Sequence, residues 1–144
     1  MRVTLDANVL VRAHPRSRST GRKILVALIE GGHSILLSND IIAETIAVLR
    51  YPRLQKRFGL TDEELYDYGQ FLRETSELVL LSQPYVAPLR DPDDLHVLQT
   101  AERGLADVLC TSDKDFYDPT VLAYCASRGI EVCSEELLLA RLMG

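Results

Sequence analysis

Four carboxylates, Asp6, Glu44, Asp94 and Asp113, stand in separate segments of the chain, each at a position suited to holding a cation. Asp6 closes the apolar run Val3-Thr4-Leu5 and is followed by Asn8, whose amide can orient a carboxylate or meet a bound water. An aspartate there can also simply cap a following helix. Glu44 interrupts the apolar stretch Ile41-Ile42-Ala43-Glu44-Thr45-Ile46-Ala47-Val48-Leu49, which suggests burial. A buried ionised carboxylate must be paired or metal-bound, so the alternative is an ion pair with an arginine. Asp91-Pro92-Asp93-Asp94 places three acids before an apolar helix, one more than a cap and a dipole partner require. Asp94 stands where the helix begins, and Asp91 and Asp93 shape the loop. Thr111-Ser112-Asp113-Lys114-Asp115 completes the set, with Asp115 a competing candidate for the fourth acid and Thr111 a hydroxyl able to orient Asp113. Oxygen-only ligands select hard cations such as Mg²⁺ or Mn²⁺ over zinc. One or two such ions activate water and neutralise charge on a phosphodiester.

The elements that position these acids follow from pattern and punctuation. Strands are expected at 2–6, 34–38, 77–81, 107–111 and 129–133. Helices are expected over 7–13, from Ser19 or Thr20 to Glu30, from Asn39 or Asp40 to Tyr51-Pro52, from the capping box Thr61–Glu64 to about Thr75, from Asp93-Asp94 to Gly104, and after Ser134. Strands alternating with helices imply right-handed crossovers and a mostly parallel five-stranded sheet, covered on both faces as an α/β/α sandwich. Ligand sites in such sheets form beyond the carboxyl ends of the strands. Asp6, Ser38 with Glu44 one turn later, and Thr111 with Asp113 all fall there.

The 144 residues fit a single domain, 1–144. No apolar run reaches the roughly 18 residues that span a bilayer, and the first residues lack a signal-peptide pattern, so a cytoplasmic, non-membrane protein is expected. Cys110, Cys125 and Cys133 have no zinc spacing and read as buried free thiols. The net charge of −5 does not by itself indicate a nucleic-acid binder. Its distribution is more informative. Arg12, Arg16, Arg18, Arg22 and Lys23 form one acid-free cluster and Arg50, Arg53, Lys56 and Arg57 another, either able to guide a polyanion toward an acidic site.

The segments LDANVL, SNDIIAETIAVL and DPDDLHVLQTAERGLADVLCTSDKDF, in the order Asp, Glu, Asp, Thr-x-Asp, resemble the PIN-domain family, as found in VapC-like toxins of toxin–antitoxin pairs. YPRLQKRFGLTDEEL is similar to the connecting region of one PIN subgroup described as toxin components. The resemblance covers nearly the whole chain. It implies divalent-metal-dependent endoribonuclease activity on RNA, a protein antitoxin as partner, and a homodimer. It implies Asp6, Glu44, Asp94 and Asp113 as catalytic and metal-holding residues, with Asn8, Ser38 and Thr111 supporting them. Competing readings are a receiver-like or phosphatase-like Mg²⁺ domain and a non-catalytic RNA- or protein-binding scaffold. The phosphatases need a second acid where Asn8 stands, and receivers need an aspartate that the strand at 77–81 lacks.

Overall fold

The computed structural model describes residues 1–144. Five parallel strands form one sheet in the order β3-β2-β1-β4-β5: β1 (Arg2–Leu5), β2 (Ser34–Leu37), β3 (Glu77–Leu78), β4 (Val108–Cys110) and β5 (Glu131–Cys133). Val3, Thr4 and Leu5 of central β1 are fully buried, as expected of a strand covered on both faces. Eight helices join and cover the strands: α1 (Ala7–Arg12), α2 (Thr20–Glu30), α3 (Asn39–Leu49), α4 (Pro52–Phe58), α5 (Asp62–Thr75), α6 (Leu95–Arg103), α7 (Pro119–Ser127) and α8 (Glu135–Met143). Helix α6 packs on β1, β2 and β4, α2 pairs with α8, and α3 lies between α1 and α5. The result is the expected α/β sandwich around one apolar core. No helix is long and apolar enough to cross a membrane.

Several elements depart from expectation. The third strand is only Glu77–Leu78, both exposed, because it is an edge that pairs with β2 alone, and its neighbour Val79 adds one bond to Leu37 O. Helix α3 is capped by Ser38, whose hydroxyl accepts from Ile41 N–H, rather than by Asn39 or Asp40. Pro52 does end α3, but it also opens the unanticipated α4 at its first position, where a missing N–H costs nothing. Gly59, at φ 60°, closes α4 in the left-handed conformation. Helix α7 was likewise unassigned. It begins at Pro119 behind Asp118, whose carboxylate accepts from Thr120 N–H. The capping box at Thr61 and Glu64 is present as expected, and the three cysteines are buried and free.

The strand order fixes where a site can form. From β1 the chain proceeds to β2 and β3 on one side, then crosses to β4 on the other. The carboxyl ends of β1 and β4 therefore flank the point where the winding reverses, the usual place for a crevice in an open parallel sheet.

Candidate active site

Asp6 follows β1 and is only 6% exposed. Its Oδ1 accepts from Ala7 N–H at 2.6 Å, so it does cap α1. Its Oδ2 accepts from the Thr111 hydroxyl at 2.7 Å and from the Asn8 amide at 3.2 Å. Cap and site roles thus use different oxygens. Burial lifts the Asp6 carboxyl above its ordinary range; the hydrogen bonds from Thr111 and Ala7 oppose the shift, and the charges of Glu44 and Asp113 add to it. Thr111, buried after β4, is a hinge between two acids: its hydroxyl donates to Asp6 and accepts from Asp113 N–H at 3.0 Å.

Asp113 accepts from Asp115 N–H at 3.0 Å. Carboxylate oxygens of Asp94, Asp113 and Asp115 lie within 4.8 Å of one another. Asp94 makes no side-chain cap bond to α6, whereas Asp91 shapes the preceding turn by accepting from Asp93 N–H. Partial burial, then the charge and hydrogen bond of Asp113, then the charges of Asp91 and Asp6, push the Asp94 carboxyl up to about 7.

Glu44 is not buried as its apolar neighbours suggested. Ile41, Ile42, Thr45 and Leu49 turn to the core, which leaves the Glu44 side chain 39% exposed at the edge of α3. Its partner is His96 rather than an arginine, with Nε2 2.8 Å from Oε1. Burial pulls the His96 imidazole down, but the hydrogen bond and charge of Glu44, with Asp40 and Asp6, outweigh it and the net shift is upward. Sequence reasoning missed His96. Its one signal was position, two residues after Asp94, and its partner lies 52 residues away. Ser38 touches none of the acids; it accepts from Thr100 and so fastens α3 to α6 at one remove from the site.

Asp6, Glu44, Asp94 and Asp113 line one cleft of about 910 Å³, while Asp115 faces a second hollow next to it. The lining of the main cleft also includes residues of both basic clusters: Arg12, Arg16 and Arg18 from the first, Arg53 and Arg57 from the second. Not all are free. Arg12 is paired with the nearly buried Glu135 of α8 at 2.9 Å and donates to Ser112, and Arg16 is paired with Glu64 at 2.7 Å. Arg18, Arg53 and Arg57 have no acid partner. Arg22 and Lys23 do not reach the cleft. Helix periodicity turns them to a groove beside Leu139 and Leu142, and Arg22 donates to Ala13 O.

The donor set fits a hard divalent cation. It is oxygen-only, its members repel one another, and the buried Asn8 Oδ1 beside Asp6 has no hydrogen-bond partner. Asp6 and Glu44 line the cleft without joining the tight cluster of Asp94, Asp113 and Asp115.

No curated protein matches the chain. A family model described as PIN domain matches residues 2–115, which include all five acids, β1 to β4 and the basic clusters. PIN domains are generally nucleases, often metal-dependent, so the broad class is a hydrolase acting on nucleic acid. With most of its length matched, the chain belongs to the PIN-domain family.

Proposed function

We propose that the protein is a divalent-metal-dependent endoribonuclease that hydrolyses RNA phosphodiester bonds and serves as the toxin of a toxin–antitoxin pair. The observation that carries the nuclease reading is a single cleft lined both by carboxylates and by arginines without acid partners. Asp6, Glu44, Asp94 and Asp113, with Asp115 as an alternative fourth acid, would hold Mg²⁺ or Mn²⁺. Such an ion lowers the pKa of bound water and offsets charge on the phosphoryl group. Thr111 and Asn8 orient Asp6, and His96 holds Glu44, so the acids keep their places before substrate arrives. Arg18, Arg53 and Arg57 bind phosphates beside the cut, whereas Arg12 and Arg16 shape the wall through their ion pairs.

Water is the attacking group, with no part for the ribose 2′-OH, so the products carry a 5′-phosphate and a 3′-OH. The test is cleavage of RNA oligonucleotides with and without chelator, with an Asp6→Asn control and identification of the ends. Cleavage that chelation abolishes and that leaves 5′-phosphates is expected. A 2′,3′-cyclic phosphate, or cleavage undiminished by chelation, overturns the mechanism. The toxin role adds a protein antitoxin and a homodimer as partners. It is supported by the resemblance of YPRLQKRFGLTDEEL to toxin-type members, and growth arrest on expression that Asp6→Asn relieves tests it.

A further inference from the structure

A second cleft, of about 500 Å³, adjoins the acid cluster at Asp115, and nothing in the proposed mechanism uses its basic residues. The two clefts meet at the acid cluster: Asp113 lines the first, Asp115 the second, and their oxygens lie within 4.8 Å of one another. The second cleft presents Arg90 and Lys114, both exposed and neither in an ion pair with an acid. Arg90 is carried out of the Pro-rich loop next to Leu89, which is seated in the core. Tyr117 adds an aromatic ring, 37% exposed and steadied by its hydroxyl donating to Thr111 O at 2.7 Å. Of the two acids there, Asp118 is spent on capping α7 and Asp115 belongs to the acid cluster. The order along the surface is thus unpaired arginines, carboxylates, then a second unpaired cationic pair with an aromatic ring.

A polyanion that crosses carboxylates is repelled on leaving them unless cations receive it on the far side. We propose that the second cleft is an RNA subsite. It holds the strand beyond the cut from Arg18, Arg53 and Arg57, with Arg90 and Lys114 on phosphates and Tyr117 beneath a base. The subsite rests on the nuclease reading and extends it: the substrate is a single strand gripped on both sides of the scissile bond.

The experiment measures binding by fluorescence anisotropy under chelator, so that RNA is not cut. It uses an oligonucleotide extending on both sides of the mapped cut and two versions trimmed on one side or the other. R90A/K114A is expected to bind the full oligonucleotide about tenfold more weakly. The slope of log K against log salt should fall by roughly 1.4, for two phosphate contacts on a single strand. Trimming one side should cost the parent protein a similar factor and cost R90A/K114A almost nothing. R18A/R53A/R57A should show the same insensitivity to trimming on the opposite side. Tyr117→Leu should weaken binding roughly fivefold or more through lost stacking. Unchanged affinity of R90A/K114A, or equal losses on both trimmed RNAs, overturns the subsite. Cleavage by the parent protein with Mn²⁺, run on the same RNAs, separates the two failures. If the parent cleaves while R90A/K114A is silent, only the subsite falls; if the parent cleaves nothing, the nuclease reading falls and takes the subsite with it.

Discussion

The carboxyl of Asp94 titrates at about 7 because it is partly buried and stands beside the charges of Asp113, Asp91 and Asp6. An unfolded chain releases that proton near pH 4. Between about pH 4 and 7 the folded state therefore holds protons that the unfolded state has lost. Metal-free stability is highest at the acid end of this window and falls as the pH rises through it. His96, also shifted upward, loses its contribution in the same direction. Asp94→Asn should flatten the slope. Allowing for solvent screening of a partly exposed group, the metal-free variant should gain roughly 1 kcal/mol at pH 7.5, or about 3 °C in Tm. Mn²⁺ or Mg²⁺ should raise the Tm of the parent and not of the variant, because an ion stabilises the state it binds. Thermal melts across pH with and without metal check both statements, and an equal metal response in the variant would remove Asp94 from the site. The positions of Asp6, Asp94 and Asp113 were legible in the sequence because each stands beside a strand end or a helix start, and Glu44 because it interrupts an apolar helix. The pairing of Glu44 with His96 was not, since nothing local links residues on two helices.

At the level of elements, legibility tracked burial. β1, β2 and β4 are apolar on both faces and were found nearly in register, whereas β3 has a single neighbour and shrank to two residues. Pro52 both stops α3 and opens α4, and only the stop is legible in the sequence, because proline marks both boundaries. That helix carries Arg53 and Arg57 of the second basic cluster to the cleft, a placement that the order of residues alone does not give. The first basic cluster is one run in the sequence but is divided in the fold: Arg12 at the end of α1 and Arg16 and Arg18 in the loop after it line the cleft, while Arg22 and Lys23 on α2 line a different groove. The seat of α2 depends on Gly21. A Cβ there would stand 2.8 Å from Val9 O of α1 and 3.3 Å from the Glu135 carboxylate. Backbone cannot yield as a flexible side chain does, so Gly21→Ala should separate α1 from α2 at a cost of about 1–3 kcal/mol despite its gain in helix propensity. The same shift loosens the Arg12–Glu135 pair. Chemical denaturation should show the lower midpoint, and a variant as stable as the parent would mean that the two helices slide apart freely.

For the whole molecule, the surface over α3 and α5 carries an apolar hollow apart from the cleft. Ile46 and Ala47 line it over the buried Ile42 and Leu65, and Tyr66 stands 66% exposed at its rim. Leu65, Tyr68 and Leu72 pack inward, so the stripe with Tyr66 is left for another partner, and a second copy of the chain is the expected one. Light scattering at micromolar concentration should give the mass of a dimer, and Tyr66→Glu should halve it. A monomeric mass for the parent would leave this face without that role. The order of the strands has a further consequence, in time rather than in space. β1 is made first yet lies at the centre, and Thr111, which holds Asp6, follows 105 residues later. While the chain emerges from the ribosome, β1 can pair with β2 but keeps an open edge until β4 arrives. Through that interval Asp6 lacks Thr111, Asp113 and Asp115. Under the proposed nuclease reading, the acid site is therefore completed only after β4 and the turn to Asp115 have been made.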